Sequence, residues 1–362
     1  MSRERKIVRV GGAAGEDLDP GAIQMLSTRR GRVVVLLAGL ALLAGFTPPA
    51  DASDDPSYVK QWGINQIGAP DAWAKTTGKG VRIGIVDTGI DLNHEDLAAR
   101  VVESTLCINT RGNSLECEGS AQDDFGHGTH VAGIAAAVKD NGVGIAGVAP
   151  DAELVVAKVF KGGTANADDV VAGIKWVVDH GAKVVNLSLG GAVFVIAATF
   201  GSEFASGVEY AWARGAIPVL ASGNDDLFGA GVGSAEYGDI NALIVGATGH
   251  DDTVANYSSP TGNAKWALVA PGGTGGQAAG ETDNVYSTFW AEGKQNQYGY
   301  LAGTSMAAPH VTGAVALLLS QGLTKEQAVE RILATTDAVP CGANSEYCRG
   351  RLNVARAVGA IK

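Results

Sequence analysis

Sulfur, aromatic rings and positive charge are all scarce in this chain. Its 362 residues include four cysteines, three methionines and 6% aromatic residues, and only 18% are charged. With 27 Lys and Arg against 38 Asp and Glu, the net charge is −11, which removes nucleic acid as a partner because phosphate binding needs concentrated positive charge. The apolar run from Val33 to Phe46 is shorter than the roughly 20 residues a membrane span needs. The cysteines lack the spacing and the neighbouring histidines of a zinc site. Glycine, by contrast, is plentiful at 51 residues, and 46% of the chain is hydrophobic. That composition suits one large α/β domain with tight turns and close helix-to-strand packing, and excludes a disordered or fibrous chain.

The first 52 residues read as a leader. Arg29, Arg30 and Arg32 precede the Val33–Phe46 run, and Ala50-Asp51-Ala52 offers small residues where a signal peptidase reads, so cleavage is expected after Ala52. Glu16, Asp17 and Asp19 are acidic where a basic segment is expected, which places the translation start at Met25. Residues 53–362 are then the exported part, with no stable membrane association and an extracellular location. Losing seven basic and five acidic residues leaves them at −13. Four cysteines permit three connectivities, and closeness in sequence favours Cys107 with Cys117 and Cys341 with Cys348. Disulfides agree with export.

Three short motifs carry the chemistry. Val81-Arg82-Ile83-Gly84-Ile85-Val86 reads as a buried parallel strand with Asp87-Thr88-Gly89 at its carboxyl end, where open α/β sheets place their sites. Asp91, the rival carboxylate, lies past the turn. Gly126-His127-Gly128-Thr129-His130-Val131-Ala132-Gly133 puts a histidine at the mouth of a small-residue helix, and His130, three residues on, is expected to be carried into the core. Gly303-Thr304-Ser305-Met306-Ala307-Ala308-Pro309-His310 places a serine on a tight turn that opens another helix. Unpaired N–H groups and the positive end of the helix dipole can stabilise a developing anion there. Acid, base and nucleophile thus follow in the order Asp, His, Ser. A serine esterase of the α/β-hydrolase type would run Ser, Asp, His with a Gly-x-Ser-x-Gly elbow, and both are missing.

These motifs, in that order, resemble the subtilisin family of serine proteases (subtilases), with the calcium-rich thermitase branch nearest in character. The likeness runs from about Asp55 to the end of the chain. It implies a subtilisin-like catalytic domain over 53–362, built as a three-layer, doubly wound, mostly parallel sheet with helices on both faces. It also implies a serine endopeptidase of broad specificity, acting as a monomer on protein or peptide substrates. Asp87, His127 and Ser305 would form the triad, with Asn224 and the Ser305 backbone N–H meeting the oxyanion. Ser188, Leu189 and Gly190 would pair with an extended substrate, and Ala221, Ser222 and Gly223 count among the substrate-binding residues. The Lys139–Ile145 loop resembles the high-affinity calcium loop of thermitase. By that likeness the side chains of Asp55, Asp96 and Asn141 and the carbonyls of Val138, Val143 and Ile145 would hold a structural calcium ion. Subtilases commonly carry a sizeable propeptide, and almost nothing lies between the leader and Asp55. A catalytically silent peptide-binding homologue would normally have lost a triad member or the asparagine; all four residues are present.

Further strands are expected over Ala152–Phe160, Val184–Gly191, Ile217–Leu220, Leu243–Ala247 and Trp266–Gly272. Helices are expected over Ala167–His180 and Glu203–Arg214, and Thr324 with Gln327 forms a capping box. Gly272–Gln297 reads as a polar surface excursion, and Ala192–Gly201 has no assignment. Met306 is the only methionine of 53–362 and sits beside the serine.

Overall fold

Short branched runs such as Ile83-Gly84-Ile85-Val86 and Leu154-Val155-Val156-Ala157 carry apolar residues on both faces, as central strands of a parallel sheet must. The structure, a computed structural model, describes residues 53–161, 163–189, 204–224, 237–275, 283–341 and 348–361. The leader, its cleavage point and the Ala192–Gly201 stretch lie outside these residues. Strands are Arg82–Asp87 (β1), Val101–Leu106 (β2), Glu153–Lys158 (β3), Val184–Leu187 (β4), Ile217–Ala221 (β5), Leu243–Thr248 (β6), Ala267–Pro271 (β7), Val285–Phe289 (β8), Gln297–Leu301 (β9) and Cys348–Arg351 (β10). Helices are Trp62–Gln66 (α1), Ala69–Trp73 (α2), His127–Ala136 (α3), Ala167–Asp179 (α4), 204–213 (α5), Thr304–Ser320 (α6), Lys325–Ala334 (α7) and Val354–Ala357 (α8).

Eight strands form one sheet in the order β10-β7-β6-β5-β4-β1-β3-β2, and every neighbouring pair is parallel. Alternate residues serve opposite faces. Ile83, Ile85, Leu154, Val156 and Val219 share a core with α3 and α6, whereas Val86, Val155, Ala157, Val185 and Leu220 share one with α4 and α5. This is the expected three-layer arrangement. The strand order reverses between β1 and β4, and ligands of such sheets bind in the crevice at the carboxyl ends of that pair.

Two helices reach the crevice from one layer. α6 is apolar all round and buried from Thr304 to Leu318, so it runs through the interior rather than along a surface. α3 is built of small residues because β8 lies hard against it: a Cβ on Gly133 would come within 2.2 Å of Thr288 Oγ1 and 2.4 Å of Ser287 Oγ. That strand corrects the expectation for 272–297. Val285–Thr288 are buried, and β8 pairs antiparallel with β9. The hydroxyls of Ser287 and Thr288 donate to the carbonyls of His130 and Thr129, so polar side chains here join hairpin to helix and do not mark a surface loop. The Thr324–Gln327 capping box forms as expected. Cys107 is bonded to Cys117 and Cys341 to Cys348. Among the described residues no helix is long and apolar enough to cross a membrane.

Candidate active site

Asp87 is the last residue of β1, and its side chain is fully buried. His127 is the first residue of α3, 22% exposed, and its Nδ1 lies 2.7 Å from Asp87 Oδ1. Asp87 Oδ1 also accepts the Thr88 N–H at 2.7 Å, which holds the carboxylate in place. Burial alone would lower the pKa of His127. The charge and hydrogen bond of Asp87, with the charge of Asp123, outweigh it and raise the imidazole above its ordinary value. His130 behaves as expected of a core residue. It is buried, its Nε2 meets the Val285 and Gly299 carbonyls, and desolvation pushes its pKa down to about 3, which keeps it neutral.

Ser305 is the second residue of α6 and 3% exposed. Pro309, four residues on, has no N–H, so the helix ladder leaves the Ser305 carbonyl free, and Ser188 Oγ donates to it at 2.8 Å. Ser305 Oγ in turn donates to the Ser188 carbonyl at 3.3 Å. The nucleophile candidate is therefore tied to the end of β4, and no hydrogen bond joins it to His127 in this state. Ser188 and Leu189 are buried at that strand end, while Gly190 lies outside the described residues.

Asn224 follows β5. Its Oδ1 accepts the Thr304 N–H at 2.9 Å and the Thr304 hydroxyl at 3.1 Å, which fixes the amide and leaves Nδ2 as its outward donor. Among the described residues no acceptor meets Asn224 Nδ2 or the Ser305 N–H. Both donors approach one point: a Cβ on Gly303 would sit 3.5 Å from Asn224 Nδ2 and 3.6 Å from Ser305 N. Ser222 is turned away, its hydroxyl donating to the Ser259 carbonyl, and Gly223 N–H donates to Thr304 Oγ1. Ala221 closes β5. Thr304, Thr88, Asp123 and Pro309 were missed as site residues in the sequence. Their flanking positions were visible, but their partners lie 35 or more residues away in most cases.

A profile of the subtilase family matches residues 78–359. The chain belongs to the subtilase family. It is thus a serine peptidase, with proteins as its substrates. This subtilase is 36% identical over 309 residues to thermitase of Thermoactinomyces vulgaris, covering 84% of this chain and 98% of the relative. It is 35% identical over 298 residues to Subtilisin Savinase of Lederbergia lenta, covering 81% and 96%. A solved protease of Pseudoalteromonas arctica PAMC 21717 superposes with a TM-score of 0.72 at 29% identity, over 85% of this chain and 99% of that one.

Away from the crevice, the loop after α3 builds a cluster of oxygens. Asp55 and Asp96 are buried and, among the described residues, have no cationic partner. Asp55 accepts the N–H groups of Asp140, Asn141 and Gly142, and Asp96 accepts those of Ile145 and the Asn141 amide. Desolvation, with repulsion from Asp55, pushes the Asp96 carboxyl up to about 6. Asn141 Oδ1 accepts the Val143 N–H. No hydrogen bond reaches the carbonyls of Val138, Val143 or Ile145 among the described residues. Two uncompensated carboxylates, one amide oxygen and three free carbonyls are hard donors of the kind calcium takes, so the residues fit that ion. Groups of three or more His, Cys, Asp or Glu able to hold a metal are absent among the described residues.

Proposed function

We propose that this subtilase is a secreted endopeptidase of broad specificity that cleaves peptide bonds by acyl transfer at Ser305. The 2.7 Å Asp87–His127 hydrogen bond, at the same sheet rim as Ser305 and the two free donors, carries this reading. An extended substrate pairing along Ser188–Gly190 competes for the Ser188 carbonyl and frees Ser305 Oγ to turn to His127. Nε2 of His127 takes the hydroxyl proton as the oxygen attacks the scissile carbonyl carbon. Asp87 fixes the tautomer and stabilises the imidazolium. Negative charge gathers on the carbonyl oxygen, where Asn224 Nδ2 and the Ser305 N–H donate to it without reorganisation. His127 then returns the proton to the leaving amine, and water repeats the sequence on the acyl-enzyme.

The side chains of Asp55, Asp96 and Asn141 and the carbonyls of Val138, Val143 and Ile145 would hold a structural calcium ion, whose positive charge would offset the two buried carboxylates. Residues 1–52 act as the export leader and 53–362 as the catalytic domain. A casein zymogram with a serine-directed inhibitor control tests the function. Purified wild type is expected to clear casein, the inhibitor to stop it, and Ser305→Ala to remove it while leaving the fold intact. Clearing by Ser305→Ala would reject the assignment.

A further inference from the structure

Asp123 is 1% exposed and, among the described residues, has no cationic partner touching it. Its carboxylate takes five hydrogen bonds. Oδ1 accepts the Thr88 hydroxyl at 2.9 Å and the N–H groups of Phe125 and Gly126 at 3.0 Å each. Oδ2 accepts the Thr129 N–H at 3.0 Å and its hydroxyl at 2.6 Å. These bonds hold the carboxyl below the usual carboxylate range although burial pushes the other way. The five bonds favour the ionised carboxylate over the neutral acid.

The partners belong to two elements that must be kept in register. Thr88 directly follows Asp87, and its Oγ1 accepts the Gly128 N–H at 2.9 Å while donating to Asp123. Phe125, Gly126 and Thr129 bracket His127 at the start of α3. The helix lacks an ordinary cap, because its N-cap Gly126 has no side chain, so Asp123 and Thr88 satisfy the first N–H groups from outside. Backbone contact leaves no slack. A Cβ on Gly128 would lie 2.1 Å from the Gly89 carbonyl, and one on Gly89 would lie 2.3 Å from the Ala121 carbonyl. Lys158 of β3 pins the same turn, donating to the Thr88 carbonyl and to Asp124 Oδ1.

We propose that Asp123 is a positioning residue of the acyl-transfer site: its buried carboxylate hangs the start of α3 from the end of β1, sets the Asp87–His127 contact, and adds a second negative charge behind the imidazolium. The proposal rests on the catalytic reading of Asp87, His127 and Ser305. Charged or titratable groups facing His127 are Asp87 from β1, Asp123 from the preceding loop and His130 from the next turn of α3. Removing Asp123's charge lowers the proton affinity of His127, and removing its hydrogen bonds loosens the hinge.

Asp123→Asn separates these effects from mere support of the fold. In the full chain kcat is expected to fall on the order of tenfold or more with KM changed less than about twofold, because misplacing a catalytic group harms the reaction more than binding. The acidic limb of kcat/KM is expected to move to lower pH, because the charge of Asp123 contributes to the raised pKa of His127. Thr88→Val keeps the charge and removes the hydroxyl that links Asp123 to the Gly128 N–H, so it is expected to lower kcat with no movement of the limb. If Asp123→Asn does not fold, Thr88→Val carries the kinetic test alone, and wild-type kcat and KM in it would overturn the proposal. NMR titration of the His127 ring in a Ser305→Ala background gives a readout free of turnover. A lower titration point on adding Asp123→Asn supports the proposal. An unchanged titration point together with unchanged kcat overturns it. Should Ser305→Ala itself remain active, the acyl-transfer reading fails, and the ring titration still decides whether Asp123 acts on His127.

Discussion

Chelating calcium from the Ser305→Ala protein, which cannot digest itself, is expected to lower its melting temperature by about 5–10 °C near neutral pH. Without a cation, Asp55 and Asp96 face each other buried and unpaired, and the Asp96 carboxyl rises from 3.8 to about 6. One pKa unit is about 1.4 kcal/mol, so ionised Asp96 alone destabilises the metal-free fold by roughly 3 kcal/mol. A domain of this size loses about 2 °C per kcal/mol, and losing the ligation itself adds to the drop. The sign follows from the raised pKa. The penalty is absent below the unfolded value of 3.8, grows as pH rises towards about 6, and is complete above it. Chelation should therefore matter more at about pH 8 than at about pH 5. Calorimetry with and without EDTA, followed by re-addition of calcium or magnesium, reads the effect. Calcium is expected to restore the transition and magnesium to fail, since the smaller ion demands near-octahedral geometry. A melting temperature within about 1 °C of the untreated protein at the higher pH would refute the calcium assignment and the electrostatic reasoning behind it.

Asn224→Ala removes one of the two proposed oxyanion donors and leaves the Thr304 N–H without its acceptor, while the Thr304 hydroxyl keeps the Gly223 carbonyl. From the range set by subtilisin, a member of the same family, kcat is expected to fall about 10²–10³-fold with KM little changed. Steady-state kinetics on a chromogenic peptide measures it, and a kcat within about threefold of wild type would count against the donor role. The acid limb of kcat/KM should have its midpoint above pH 6.5, the ordinary histidine value, because His127 must lose its proton to act as base and its pKa is raised. A midpoint at or below that value contradicts the balance of Asp87 and Asp123 against burial.

Much of this site was legible because each chemical group ends a strand or opens a helix with a local signature. Asp87 closes an apolar run, His127 stands between glycines at a helix mouth, and Ser305 begins the long apolar helix α6. Parallel strands buried on both faces read as unbroken apolar runs, so the sheet followed too. What stayed hidden depends on partners distant in sequence. β8 resembles a loop because Ser287 and Thr288 are polar, and only their bonds to α3 carbonyls explain their burial. Asp123 looks like any acidic loop residue until Thr88, 35 positions earlier, is seen to donate to it. β2, with an exposed Glu103 and Val102, lacks the buried pattern of its neighbours because it forms the sheet's edge. Pro309 inside α6 would ordinarily argue against a helix, yet its missing N–H frees the carbonyl that Ser188 occupies.

The nucleophile itself is open to direct measurement. Wild-type protein treated with a fluorophosphonate and digested should carry a single adduct, on the hydroxyl of Ser305 as located by tandem mass spectrometry, and His127→Ala should slow labelling severely because no base takes the proton. An adduct on another residue, or labelling of Ser305 that ignores the loss of His127, would contradict the account.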